Sequence, residues 1–177
     1  MNPDFVVLAA GKGSRMLGPS PKVLLPVGGR AMVQRVLDTV AEIDKSRVIL
    51  VLGDQAKEVK KALNLSKNTK VVNQRKQLGT AHAVRTAQSK LRPGSVTIVL
   101  YGDAPLIESK TLKKLISQAK RGSLAILTFN KDNPEGYGRI VRGTRNQVNA
   151  IIEEKDANKE QKQIKEVNSG ILAIKSN

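Results

Sequence analysis

Short apolar runs rich in β-branched residues alternate with stretches of helical periodicity along the first hundred residues, and this alternation constrains the fold most. Phe5–Leu8, Val48–Leu52 and Thr97–Leu100 are almost wholly apolar, as strands buried on both faces must be. Between them Val33, Val36, Leu37 and Val40 mark one helix, Ala56, Val59 and Leu63 a second, and Val84, Ala87 and Leu91 a third. The order up to Asp103 therefore reads β-α-β-α-β-α-β, which predicts an α/β fold with a mainly parallel, mixed sheet flanked by helices. Beyond Asp103 the pattern predicts a helix over Thr111–Lys120 and a strand over Leu124–Thr128, then shorter β segments at Arg139–Val141, Gln147–Ile152 and Gly170–Ile174. No linker or repeat interrupts residues 1–177, so a single domain is expected. The last strand is followed by three residues and no covering helix, which leads to the expectation of a missing C-terminal piece or an edge managed in another way.

Residue usage removes several functions. The chain has no cysteine and one histidine, so disulfides, thiolate zinc sites and His clusters are excluded and any metal must be oxygen-ligated. The apolar run at Phe5–Ala10 lacks the length and the basic flank of a signal peptide or membrane span, and a cytoplasmic protein is expected. The formal net charge of +16 favours anionic partners without choosing among nucleic acid, lipid and phosphorylated small molecules. Nucleic acid is not the expected partner, because aromatics for stacking are few and no nucleic-acid motif is present. The basic stretch between Ser109 and Lys131 carries Leu112, Leu115, Ile116 and Ala119 at helical spacing and reads as a solvated helix face.

The first strand runs into Leu8-Ala9-Ala10-Gly11-Lys12-Gly13-Ser14-Arg15-Met16, a small-residue turn in which backbone N–H groups can approach an anion. It matches neither the dinucleotide fingerprint nor the P-loop. Lys22, after Pro21, adds a further basic group one loop later, so that Arg15 and Lys22 can flank a polyphosphate. Asp103 lies just beyond a strand end, where α/β sheets bind ligands, and is the candidate for a hard cation held by a carboxylate plus substrate phosphates.

The Leu8–Met16 turn with Pro21-Lys22 resembles the signature of sugar-1-phosphate nucleotidyltransferases. Four further segments narrow the likeness: Gln77-Leu-Gly-Thr-Ala-His82; Leu100-Tyr-Gly-Asp-Ala-Pro-Leu-Ile107; Gly136-Tyr-Gly-Arg-Ile-Val-Arg142 with Ile152-Glu-Glu-Lys-Asp-Ala157; and Asn168-Ser-Gly-Ile171. In this order they are similar to the uridyltransferase domain of the bacterial bifunctional N-acetylglucosamine-1-phosphate uridyltransferase/glucosamine-1-phosphate acetyltransferases. The resemblance implies a Rossmann-like nucleotidyltransferase fold and formation of UDP-N-acetylglucosamine and pyrophosphate from UTP and N-acetylglucosamine-1-phosphate, for peptidoglycan and lipopolysaccharide precursors. It implies Mg²⁺ as cofactor.

By the same resemblance, Leu8, Ala9, Ala10 and Gly11 contact the nucleotide, with Gln74, Gly79 and Thr80 at the uracil. Tyr101, Gly102 and Asp103 meet the sugar nucleotide, Asp103 also binds the metal, and Arg15 and Lys22 are catalytic. Gly138, Glu153 and Asn168 contact the sugar. Thr80 also reads as the N-cap of the following helix, and His82 as a packing or surface residue. Glu153 and Glu154 could suggest a glycosidase pair, but neighbours on a strand face opposite ways and cannot flank one bond.

In the family, the domain continues past the point where this chain stops, supplies there a second metal-binding Asn, and is followed by a β-helix acetyltransferase domain largely responsible for trimerisation. The expectations are that these residues alone turn over poorly and form no stable trimer. A relative with another sugar or nucleotide, a non-catalytic nucleotide-sugar-binding module and a nucleic-acid-binding module remain as alternatives.

Overall fold

The computed structural model describes residues 2–11 and 20–176. The elements run β1 (Asp4–Ala9), β2 (Pro26–Val27), β3 (Arg30–Ala31), α1 (Met32–Ala41), β4 (Arg47–Leu52), α2 (Ala56–Ala62), β5 (Thr69–Asn73), α3 (Thr80–Ala87), β6 (Val96–Tyr101), α4 (Ser109–Lys120), β7 (Ala125–Asn130), β8 (Arg139–Arg142), β9 (Val148–Ile152), α5 (Lys159–Lys162) and β10 (Glu166–Lys175). They form two compact units, residues 1–125 with 172–177, and residues 126–171.

In the first unit, β5, β4, β1 and β6 lie side by side, all parallel, and Leu172–Lys175 of β10 pair antiparallel with Val96–Val99 of β6. The expected mainly parallel, mixed sheet is therefore present. Strand β1 is fully buried along its length because both faces are covered. Val6, Leu8 and Ala10 join Ile49, Val51, Val99, Ala83 and Ala87 in one layer, where α3 packs on the sheet. Phe5 and Val7 fall on the opposite face by strand alternation and are also completely buried. Each fully buried Val, Leu or Ile among these contributes about 1.5–3 kcal/mol of burial free energy, which builds a core that needs few rings.

The third strand of the β-α-β series, which apolar runs alone do not locate, is β5. None of its residues is fully buried, and Lys70 and Asn73 are exposed at the edge of the parallel set. Two helices hold the expected stripes, α1 burying Val33, Val36, Leu37 and Val40 and α4 burying Leu112, Leu115, Ile116 and Ala119. Of the second stripe α2 buries only Val59, because Leu63 falls just past its end in extended backbone. The predicted third helix is shorter than its apolar stripe; α3 ends at Ala87, and Leu91 follows a 3₁₀ turn over Gln88–Lys90.

At the N-terminal end of β1, the fully buried Asp4 carboxylate is held by Arg47 Nη2 at 2.7 Å, Arg92 Nη2 at 2.6 Å and the Arg92 backbone N–H at 2.7 Å. Burial by itself raises the affinity of this carboxyl for a proton. The hydrogen bonds from Arg47 and Arg92 outweigh it and hold the pKa below the usual carboxylate range.

In the second unit, β8 and β9 form an antiparallel hairpin, Val167 of β10 pairs with Arg139 of β8, and β7 pairs with β10. The polar stretch 154–165 contains α5, whose Asn158 and Gln161 form a reciprocal capping box.

Candidate functional site

Strand order determines where the first unit can bind a ligand. From β1 the chain moves outward through β4 to β5, then returns to place β6 on the other side of β1. The crevice outside the C-terminal ends of β1 and β6 is thus the sheet's switch point, and ligands of open α/β sheets bind at such points. The Leu8–Gly11 segment leaves β1 there and Tyr101-Gly102-Asp103 leaves β6 there, joined by a 2.8 Å hydrogen bond from Gly102 N–H to the Leu8 carbonyl. A β-carbon at Gly102 would sit 3.1 Å from Ala9 Cβ and 3.3 Å from Val33 Cγ2, so the glycine lets the two segments close together.

Beside Leu8–Gly11 a cavity of about 300 Å³ is lined by Ala9, Ala10, Gly11, Pro21, Gly53, Asp54, Gln55, Val59 and Gln77. Its size suits a nucleoside portion rather than a large ligand. Gly53 makes it possible: a β-carbon there would meet the Ala10 carbonyl oxygen at 2.6 Å. Asp54, Gln55 and Gln77 were not among the residues that the sequence motifs single out for binding.

Gln74 follows β5 and is 4% exposed, its backbone N–H bonded to the Leu52 carbonyl at 2.8 Å. Its side-chain Nε2 lies 3.2 Å from the Gly79 carbonyl oxygen and 2.9 Å from His82 Nδ1. Gln74, Gly79 and His82 are therefore one connected group, and His82 has a polar partner that sequence reasoning missed. Thr80 is not the N-cap of α3. Gly79, at φ 91°, takes that position because glycine alone turns the chain there without strain; Thr80 becomes the first helical residue, and no side-chain cap forms.

Lys22 stands on a single 3₁₀ turn, Lys22–Leu24, opened by Pro21. Its ammonium group lies 2.6 Å from Asp103 Oδ2, with the two side chains 40% and 35% exposed. The two charges expected to face phosphate and metal thus neutralise each other, in a pair exposed enough to part at little cost. Among the described residues no group of three or more His, Cys, Asp or Glu could enclose a metal. A single half-exposed carboxylate at a strand end still fits Mg²⁺, which binds through one or two carboxylates and substrate phosphates rather than an all-protein cage. Arg15, Lys12, Gly13 and Ser14 lie outside the described residues.

The three sugar-contact candidates come together in the second unit. Asn168 donates its backbone N–H to the Gly138 carbonyl at 2.8 Å, and its Oδ1 accepts from Gly170 N–H at 2.9 Å, leaving the side-chain amide N–H groups as donors. The Glu153 carboxylate lies against Gly138: a β-carbon at that glycine would be 3.2 Å from Glu153 Oε1. Glu153 and Glu154 lie just beyond β9 in a turn rather than on a strand, so alternation does not separate them as expected; Glu154 is instead engaged by Arg139 Nη2 at 2.6 Å and by the Gly136 N–H at 3.2 Å. The Arg139 hydrogen bond, against the opposing effect of desolvation, holds the Glu154 carboxyl below its ordinary range. Arg139 itself is 2% exposed and also donates to the Tyr137 carbonyl, so it braces the turn that carries Gly138. Its burial was not legible, because arginine is by default a surface residue.

These features define a nucleotidyltransferase, and the chain belongs to the MobA-like NTP transferase domain family, whose profile matches residues 5–167. It is similar to the bifunctional protein GlmU of Cellvibrio japonicus, with 44% identity over 98% of this chain and 38% of that protein. The GlmU protein of Marinomonas sp. is 46% identical over 100% of this chain and 39% of its own length. The chain therefore spans somewhat over a third of the length of these relatives. A UDP-glucose pyrophosphorylase solved with UDP-glucose superposes with a TM-score of 0.80 over 99% of this chain and 76% of that one; at 18% identity it supports the fold alone. The described residues include no helix long and apolar enough to cross a membrane.

Proposed function

We propose that this chain catalyses uridylyl transfer from UTP to N-acetylglucosamine-1-phosphate, yielding UDP-N-acetylglucosamine and pyrophosphate for cell-envelope precursors. The observation that carries the proposal is that the Leu8–Gly11 backbone leaving β1 has a nucleoside-sized cavity beside it on the β4 side and the Lys22–Asp103 pair at the end of the neighbouring β6. The identity with GlmU proteins supports uracil and N-acetylglucosamine as the groups recognised. Residues 1–177 act as one nucleotidyltransferase domain in this reading, and the protein works in the cytoplasm, where both substrates are found.

A phosphate oxygen of the sugar-1-phosphate attacks the α-phosphorus of UTP in line. A new P–O bond forms as the bond to the bridging β-phosphate oxygen breaks, and pyrophosphate leaves with the electron pair; no protein nucleophile takes part. The Leu8–Gly11 backbone orients the nucleotide, with Gln74, Gly79 and Thr80 at the base. Lys22, released from Asp103, and Arg15 stabilise the charge gathering on the leaving pyrophosphate. Asp103 would hold Mg²⁺, which when bound would supply neutralising charge to the phosphates. Tyr101 and Gly102 position the nucleotide sugar. Gly138 offers close backbone approach, Glu153 accepts from sugar hydroxyls and Asn168 donates to the sugar, a set able to reject other sugars.

The test is pyrophosphate release with UTP, Mg²⁺ and N-acetylglucosamine-1-phosphate, run beside glucose-1-phosphate and with CTP or ATP replacing UTP. Release restricted to the first combination is expected. Release with another sugar or nucleotide would reassign the substrate, and selective binding of UDP-N-acetylglucosamine without release would make the chain a binding module.

A further inference from the structure

We propose that His82 is a positioning residue that turns Gln74 into a pure hydrogen-bond acceptor and thereby makes the nucleotide site prefer uracil over cytosine; this rests on the reading of Gln74 as a base contact. The argument begins at the Gly79 carbonyl. That oxygen can only accept, so the Gln74 side-chain atom 3.2 Å away must be the amide nitrogen, because two oxygens would repel there. The same nitrogen lies 2.9 Å from His82 Nδ1. Its second N–H points to that contact, so Nδ1 must accept, and the imidazole proton belongs on Nε2.

Both amide hydrogens are then committed, one to Gly79 and one to His82, and only the oxygen Oε1 is left to meet a ligand. Gln74 is 4% exposed, so turning the amide over would leave a buried polar group facing the wrong partner. An acceptor fixed in this way matches the ring N3–H of uracil. It opposes the ring N3 of cytosine, which carries a lone pair instead of a hydrogen. Glutamine alone, free to present either end, could not make that choice. His82 thus acts on the base through Gln74 without touching it.

Two variants separate this role from simple packing. His82→Asn places a carbonyl oxygen near the position of Nδ1 and restores the acceptor, whereas His82→Leu fills the space without one. With the fold verified by circular dichroism, UTP and CTP binding are measured by calorimetry for the wild type and both variants. The wild type should prefer UTP; His82→Leu should lose about tenfold or more of that preference, and His82→Asn should keep it to within about threefold. In turnover, the His82→Leu loss should appear as a raised KM for UTP with kcat at saturation little changed. An unchanged preference in His82→Leu, or a lost one in folded His82→Asn, overturns the proposal. His82 is the only histidine, so the imidazole ¹⁵N spectrum belongs to it alone. At about pH 8, where imidazole is ordinarily neutral, the spectrum should show the Nε2–H tautomer; the Nδ1–H tautomer overturns the proposal even if His82→Leu fails to fold. A wild type that binds no UTP would instead refute the base-site reading, and this inference with it.

Discussion

Replacing Lys22 by alanine separates chemistry from stability, and the structure indicates how far. The 2.6 Å pair with Asp103 is 40% and 35% exposed, so solvent screens it and its removal should cost about 0.5 kcal/mol. For a chain of this size that is a change of about 1–2 °C in Tm. The charge Lys22 meets in the transition state is not screened in the same way, because substrates exclude water from the site. Loss of one such donor lowers turnover by about 100-fold, near 2.7 kcal/mol. The assay is single-turnover pyrophosphate release at saturating UTP and N-acetylglucosamine-1-phosphate, beside calorimetric affinity for UDP-N-acetylglucosamine and a thermal melt. A rate loss much larger than the affinity loss, with Tm nearly unchanged, is expected. Rate and product affinity falling by the same factor would mean uniform binding and refute the leaving-group role. A rate loss below about fivefold would refute it outright.

Further outcomes follow from the packing. Asp4→Asn should destabilise the chain by about 3 kcal/mol at neutral pH, because it leaves Arg47 and Arg92 facing an uncharged group where a buried carboxylate held both. Since the folded pKa of Asp4 is depressed, its contribution is complete above the unfolded value of about 4 and is lost as pH falls through the folded one. Urea midpoints between neutral pH and about pH 3 should therefore fall more steeply for the wild type than for Asp4→Asn. Gly53→Ala should weaken nucleotide binding by about tenfold or more by forcing the Ala10 carbonyl outward; unchanged calorimetric affinity would remove the cavity from the nucleotide site. Gly138→Ala should displace the Glu153 carboxylate and raise KM for the sugar phosphate more than that for UTP, and equal effects on both would contradict the sugar assignment.

The central strands were legible because Phe5–Leu8 and Val48–Leu52 are buried on both faces and show no polar interruption. β5 was not, since an edge strand with Lys70 and Asn73 turned outward lacks that signature. Motif order groups Gly138, Glu153 and Asn168 in one reading, and in the second unit Glu153 and Asn168 each lie against Gly138. What no local pattern could give was pairing across turns. His82 reaches Gln74 because a glycine with positive φ starts α3 one residue before Thr80, and Arg139 is buried only because Glu154 and the Tyr137 carbonyl converge on it. Nor could the sequence show that Lys22 and Asp103, assigned to phosphate and metal, neutralise each other.

The most direct test of the central claim is calorimetric titration of the folded chain with UDP-N-acetylglucosamine, using UDP-glucose and ADP-glucose as controls, with and without Mg²⁺. Selective binding of UDP-N-acetylglucosamine is expected, with ADP-glucose excluded at the base and UDP-glucose weakened at the sugar. Equal binding of all three, or none by a folded sample, would contradict the assignment of Gln74 to the base and of Gly138, Glu153 and Asn168 to the sugar.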